Sequence, residues 1–273
     1  MLSFVPTPIG NLEDITFRAL DRLRKAEVFF CEDTRVTKRL LALLADRFGA
    51  SFYESPVFVS LHSHNEQSAI DRLDRTVFDR PCVFASDAGM PCVSDPGALL
   101  AAWCVKNGVK FEALPGANAA ITAYAASGEG SGRFAFYGFL PHKSEARKSA
   151  LGEIARLSYP IIFYESPHRI AEFAADLSAI LPDRSVAAFK ELTKLHEKRF
   201  DGSTKDFAAA IGTMNTKGEW TIVLFPPVAD TRTNENEWLI DALVTLGAPT
   251  KPLSKILARL TGEKPSIWYE RLK

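Results

Sequence analysis

The sequence is short of the features that announce a membrane, a metal or a disulfide scaffold. It has four cysteines, Cys31, Cys82, Cys92 and Cys104, none in a C-x-x-C pair and all in apolar surroundings. They read as reduced, buried thiols rather than ligands or crosslinks. No apolar run approaches the roughly 20 residues that cross a bilayer. The first residues pass directly into a Pro/Gly turn with no basic start and no cleavage site, which predicts a cytoplasmic chain without a secretory signal. Net charge is missing too: 33 basic and 33 acidic residues cancel, so the bulk calls for no polyanionic partner.

What is present is length, apolar content and alternation. At 273 residues and 47% apolar, the chain is long enough for two main domains and a small appendage. Short β-branched and aromatic runs (Leu2–Val5, Val28–Cys31, Val57–Leu61, Cys82–Ala85, Val109–Leu114) alternate with helix-length segments, the pattern of an α/β domain with a largely parallel sheet. Leu12, Ile15, Ala19 and Leu23 share one helical face, with Asn11 placed to cap it. Ser127–Gly132 contains no apolar side chain and predicts a linker. Its alternating glycines lack the preceding strand that a phosphate loop needs. A second α/β set follows: Phe134–Tyr137, Ile161–Tyr164, Val186–Phe189 and Thr221–Phe225. The expected domains are 1–126, 133–228 and a helix-turn-helix-like module at 235–273.

That module carries Trp238, Leu239, Ala242, Leu243 and Leu246, then Leu253, Ile256, Leu257 and Leu260 at helical spacing, and a third short helix with Ile267, Trp268 and Leu272. From Lys251 onward six basic residues face two acidic ones. This local surplus suits either an RNA-contacting tail, with Lys255 and Arg259 as contacts, or a solvated helical face.

Four glycine-containing loops stand where backbone can approach a ligand. They are Pro6–Asn11, which fits neither nucleotide-binding glycine motif, then Ala85–Gly97, Leu114–Asn118 and Lys217–Trp220. Together they place ligand-approaching backbone in both domains, and pockets favour the crevice between domains. His62-Ser63-His64 sits where two imidazoles on a strand would share a face, yet no third ligand is spaced to complete a metal site. Polar contacts around Asn65 and Glu66, with His64 toward a substrate, are the preferred reading, and no metal is expected.

Six motifs in order carry a resemblance: Val5-Pro6-Thr7-Pro8-Ile9-Gly10-Asn11-Leu12, Cys31-Glu32-Asp33-Thr34-Arg35, Ser86-Asp87-Ala88-Gly89-Met90-Pro91, Leu114-Pro115-Gly116, Phe163-Tyr164-Glu165-Ser166-Pro167-His168-Arg169 and Lys190-Glu191-Leu192-Thr193-Lys194. From residue 1 to about 225 the chain is similar to the ribosomal-RNA small-subunit methyltransferase I family, within the tetrapyrrole-methylase fold. Two positions depart from it: Met90 stands where relatives usually have Thr, and Ala117-Asn118 where many have Pro-Cys.

The resemblance implies two α/β domains with a cofactor cleft between them, S-adenosyl-L-methionine as cofactor, and a homodimer. The implied product is a 2'-O-methylated cytidine in the decoding region of small-subunit (16S) ribosomal RNA. The cofactor contacts that loop placement and resemblance nominate are Pro8, Ser86, Asp87, Ala88, Gly89, Met90, Ser94, Asp95, Ala117, Tyr164, Glu165, Glu191, Gly218 and Glu219. Of these, Asp87 could equally cap a turn, and Glu165 could instead hold Arg169 four residues on. A hydroxyl nucleophile needs orientation plus a base or a cation, and Glu32, Asp33, Arg35 and Lys190, at strand ends, are the candidates. Helix capping by Asp33 is the alternative. Lys143, Arg147 and Lys148 are candidate RNA contacts, or the solvated start of a helix.

Two other functions fit parts of the pattern. One is a tetrapyrrole-precursor C-methyltransferase sharing the same cleft, and the other a non-catalytic RNA-binding protein on the same fold.

Overall fold

A computed structural model describes residues 1–227, 243–245 and 249–272. Met1–Pro227 form one compact unit, and the remaining described residues belong to a second.

The first sheet contains β1 (Leu2–Val5), β2 (Val28–Cys31), β3 (Val57–Ser60), β4 (Cys82–Ala85) and β5 (Phe111–Ala113) in the order β3-β2-β4-β1-β5. Every pairing in it is parallel. Strands β1, β2 and β4 are buried on both faces, which is why they read as unbroken apolar runs rather than as alternating ones. Parallel strands also send all their C-terminal loops to one edge, and that edge bears the glycine loops.

The first helix starts later than expected. A 3-10 turn, Leu12–Asp14, uses the Asn11 cap, and α1 (Phe17–Lys25) begins after Thr16, whose side chain accepts the Ala19 N–H. Ile15 is extended there, so the helical stripe is broken before it begins.

Helix α2 (Thr34–Phe48) follows β2, and a short α3 (Glu66–Ile70) follows β3. Helix α4 (Ala98–Asn107) joins β4 to β5, and α5 (Ala119–Ser127) follows β5. The N-terminus of α4 is capped from a distance. Gly97 has no side chain to offer, and the buried Glu66 carboxylate accepts the N–H groups of Gly97 and Leu100, satisfying donors that would otherwise be orphaned.

The second sheet contains β6 (Ala135–Gly138), β7 (Ile161–Glu165), β8 (Ser185–Lys190), β9 (Lys198–Ser203) and β10 (Trp220–Leu224) in the order β6-β7-β10-β8-β9. Only β6 and β7 pair in parallel; the rest is antiparallel. Strand β9 has no counterpart among the expected strands. Its Lys-Arg-Phe-Asp-Gly-Ser sequence lies at the sheet edge and brings only one apolar side chain, Phe200, to the core, where it meets Phe207.

Helices α6 (Ser144–Ile154), α7 (Ile170–Ile180) and α8 (Thr204–Ile211) cover one face of this sheet over Phe163, Phe173 and Phe207. Its other face is covered by α5: Ala120 and Ala123 pack with Ile162, Ala187, Phe189 and Val223. Alanines on the contact face let this helix sit close to the strands. It therefore serves the later sheet although it precedes Ser127–Gly132 in the chain.

In the second unit, α9 (Thr250–Thr261) and α10 (Pro265–Arg271) pack around Leu253 and Leu257, with Leu243, Leu260, Trp268 and Leu272 against them. Trp238, Leu239, Ala242 and Leu246 lie outside the described residues. Lys255 and Arg259 are exposed, on the side away from the buried Leu253 and Leu257.

Candidate active site

Three of the four glycine loops meet at the carboxyl edge of the first sheet. Thr7 and Gly89 exchange backbone hydrogen bonds at 3.0 Å in both directions. The Thr7 hydroxyl donates to the Ser86 carbonyl at 3.1 Å, and the Ser86 hydroxyl to the Gly89 carbonyl at 2.7 Å. Gly89 has φ +82°, and a Cβ there would stand 3.1 Å from Ile9 Cγ2. A Cβ on Gly116 would stand 2.7 Å from Pro6. The turn therefore needs glycine for both its backbone angle and its space.

The loop after β8 and the turn before β10 form the opposite wall. The Glu191 N–H donates to the Glu219 carbonyl and the Glu219 N–H to the Glu191 carboxylate, both at 2.9 Å. Lys194 Nζ bonds Glu191 at 2.8 Å and Glu219 at 2.9 Å. Burial alone would raise the Glu191 carboxyl, but the Lys194 ammonium and the Glu219 N–H outweigh it and hold it below its ordinary range. Gly218, at φ +112°, leaves no room for a side chain: a Cβ would meet Glu191 Cγ at 2.6 Å. Among the described residues, the non-glycine positions with left-handed backbone are Cys92, Glu191 and Thr193. All three sit on these loops, where strain of about 1–3 kcal/mol each marks a working site.

Between the two walls is a cavity of about 300 Å³, at the lower end of the range for small-molecule sites. Of the expected cofactor contacts, Ala88, Gly89, Met90, Ser94, Asp95, Tyr164, Glu165 and Glu219 line it. Pro8, Ser86, Asp87, Ala117, Glu191 and Gly218 stand one layer back. Ser86 and Gly218 shape the loops, and Ile9 reaches the cavity in place of Pro8. The lining also includes Val93, Asn118, Ala119, Phe139, Ser166, Pro167, Leu192, Lys194, Trp220 and Thr221, none of which was expected. Several of them stand inside the quoted motifs or beside the expected residues, but nothing in one sequence says which way an apolar side chain faces.

Electrostatics single out Asp95. Burial pushes its carboxyl up to about 7, and the neighbouring Glu32, Asp87 and Glu219 add to the rise. Glu32 is also raised, by burial and then by Asp87, with the His62 imidazole opposing. Asp87 is raised by burial and then by Asp33, although it accepts the Asp33 N–H at 3.2 Å. Asp95 and Glu219 line the cavity, while Glu32 and Asp87, outside the lining, act on Asp95 through space. Ile9, Ala119 and Leu192 add apolar lining.

The remaining catalytic candidates are placed elsewhere. Asp33 caps α2 by accepting the Arg35 N–H, and its carboxylate holds the Arg35 guanidinium at 2.6 Å with the arginine side chain 88% exposed. That hydrogen bonding draws the Asp33 carboxyl down to about 2. Asp33 and Arg35 thus form a solvated helix-start pair away from the cavity lining. Lys190 is buried and donates to the Asn215 carbonyl at 2.5 Å. Its ammonium is committed to closing the turn before β10.

Arg147 is a correction among the RNA candidates. It is 1% exposed and bonds Asp176 at 2.7 Å, because the α6 face that carries it turns into the sheet. Lys143 is exposed, and Lys148 is half-exposed, 3.6 Å from Asp176. His62 and His64 lie in a turn after β3 rather than on a strand, with ring centroids 6.1 Å apart. Among the described residues no group of His, Cys, Asp and Glu could hold a metal ion. No described helix is long and apolar enough to cross a membrane. Glu165 lines the cavity and also pairs with Arg169 at 3.5 Å.

A parallel sheet and a mostly antiparallel one contribute loops to this cavity. Residues 1–208 match the model of the tetrapyrrole (corrin/porphyrin) methylases, and the chain belongs to that family. A Helicobacter pylori protein (strain ATCC 700392 / 26695) named ribosomal RNA small subunit methyltransferase I is 41% identical, the match covering 100% of this chain and 98% of that protein. The Campylobacter fetus protein of the same name is 40% identical over 100% and 99%. Among solved structures, the uroporphyrin-III C-methyl transferase of Thermus thermophilus, complexed with S-adenyl homocysteine, superposes with a TM-score of 0.55 at 18% identity. That match covers 81% of this chain and 96% of the other, a likeness of fold.

Proposed function

We propose that the chain transfers a methyl group from S-adenosyl-L-methionine to the ribose 2'-hydroxyl of a cytidine in the decoding region of small-subunit (16S) ribosomal RNA, and that it acts as a cytoplasmic homodimer. The observation that carries this reading is Asp95, a carboxylate that burial pushes up to about 7 on the wall of the cavity, in a chain whose full-length relatives are named ribosomal RNA small subunit methyltransferase I.

The residues fit the donor. Its nucleoside has apolar lining in Ile9, Ala119 and Leu192, while its cationic sulfur and amino group suit the carboxylates of Asp95 and Glu219, the lysine, Lys194, being already neutralised. Bound there, the donor would supply a sulfonium methyl group to an oxygen nucleophile, the O–CH3 bond forming as the S–CH3 bond breaks and S-adenosylhomocysteine leaves. Positioning by the stapled loops provides most of the acceleration, since orientation alone is worth about 7–11 kcal/mol. Asp95 accepts the hydroxyl proton, and a base with a pKa near the operating pH is worth about 10²–10⁴-fold. Burial, with repulsion from Glu32, Asp87 and Glu219, keeps Asp95 basic. Lys143, Lys148 and His64, with Lys255 and Arg259 of the second unit, supply phosphate contacts. Exposed Phe17 and Leu195, at 95% and 94%, are the kind of surface a second copy would cover.

The test has two parts. Calorimetry with S-adenosylhomocysteine should show binding, and small-subunit RNA from a deletion strain should lack one ribose methyl by mass spectrometry. An unchanged methylation map overturns the RNA reading, and a chain that ignores the nucleoside overturns the enzyme reading.

A further inference from the structure

We infer that Phe139 is the platform on which the base of the target nucleotide stacks, carried on a loop that two arginines hold at the rim of the cavity. The inference rests on the RNA-methylation reading above and adds the residue that receives the displaced base.

Three features converge on this ring. Strand β6 ends in Gly138 at φ +75°, and the ladder to β7 shifts register between Phe136 and Gly138. That left-handed residue turns the chain out of the sheet, so Phe139 leaves the ladder and lines the cavity instead. The loop that follows is clamped from beneath. Arg169 donates to the carbonyls of Leu140 at 2.7 Å and Pro141 at 3.2 Å, and Arg147 to those of His142 at 3.0 Å and Pro141 at 3.4 Å. Each arginine is itself anchored, Arg147 on Asp176 and Arg169 on the cavity-wall Glu165. With its carbonyls satisfied from inside and Leu140 buried, the loop still leaves Phe139 50% exposed. The ring meets Tyr164 only edge-on, with centroids 5.9 Å apart.

A large aromatic face half open to water on so constrained a loop offers a fixed platform to a flat apolar occupant. A ribose hydroxyl can reach the cavity only if its nucleotide leaves the helical stack, and an aromatic side chain replaces the stacking the base gives up. The donor's adenine is the competing occupant. The rim position argues for the RNA base, because exposed Lys143, four residues on, provides a cation for the phosphates that flank a base.

The experiment uses the full chain, with S-adenosylhomocysteine affinity by calorimetry and steady-state methyl transfer to small-subunit RNA measured for each variant. Phe139→Ala should raise the RNA KM about tenfold, the scale of one lost base–aromatic stack, and leave the nucleoside Kd within about twofold. Phe139→Tyr and Phe139→Trp should restore KM, while Phe139→Leu, apolar but not flat, should not. Gly138→Ala should reproduce the defect by redirecting the ring. Equal losses of nucleoside and RNA affinity in Phe139→Ala would assign the ring to the donor and overturn the inference. So would a Leu variant as good as Tyr, or an Ala variant indistinguishable from the parent. A parent that binds the nucleoside yet methylates no RNA overturns the underlying reading together with the platform.

Discussion

The hydroxyl of Tyr164, on β7, accepts the backbone N–H of Ala120 at the start of α5, 3.0 Å away. One phenol thereby ties the second sheet to the helix that roofs it and fixes part of the cavity wall. Tyr164→Phe leaves that amide without its partner and should cost about 1 kcal/mol. Urea unfolding should show a lower midpoint with an unchanged slope, and nucleoside affinity should fall several-fold with it.

Asp95 gives a pH signature with a definite sign. Its folded pKa, about 7, lies above the ordinary carboxylate value, so the native state holds a proton that the unfolded chain has lost. Stability from this group is therefore present at acid pH and disappears as pH rises to about 7. Asp95→Asn should melt increasingly above the parent between about pH 4 and pH 7, with the difference level beyond that. Methyl transfer by the parent should rise through about pH 7, and the Asn variant should lose that limb and about 10²-fold or more in kcat. A parent profile flat from pH 6 to pH 8 would dismiss Asp95 as the proton acceptor.

Gly218→Ala combines a left-handed backbone with a side chain forced into Glu191. Strain of about 1–3 kcal/mol should lower the melting temperature, and nucleoside affinity should drop about tenfold or more as the Glu191–Glu219 pairing opens. Gly130→Ala, at a position with open space around it, is the control and should change neither measurement.

Arg35→Ala should leave kcat and KM within about twofold, since an exposed pair like Arg35–Asp33 contributes little. A loss beyond about tenfold would return this arginine to the catalytic machinery.

Lys255 and Arg259 share the exposed side of α9. Replacing both with Ala should weaken RNA binding uniformly across sequences and flatten the log–log salt dependence by about 2, close to one unit per lost phosphate contact. Nucleoside binding should stay at the parental value.

The parallel sheet was legible because fully buried strands leave runs such as Val28–Cys31 with nothing polar between them. The loops of the cavity were legible because a glycine at positions such as Gly89 or Gly218 stands directly after or before such a run. Side-chain direction was not. Arg147 and Lys143 belong to one basic cluster in sequence, yet a helix has an inner and an outer face, and the turn at Gly138 decides which residue meets which. Strand β9 escaped because an edge strand carries no buried stripe to betray it. The acid proposed as proton acceptor was not legible either. Glu32, Asp33, Asp87 and Asp95 are chemically alike until burial separates them, and burial is a property of the folded cavity.

Helix α5 leaves the first sheet and roofs the second, so the molecule does not come apart where its sequence looks most easily cut. A nick at Gly130 would sever the chain beyond that roof and leave it attached to the earlier fragment. The later fragment, expressed alone, would present the bare apolar faces of Ile162, Ala187 and Val223 to water and precipitate. Supplying the missing piece in trans would then have to restore solubility and nucleoside binding together, as one event.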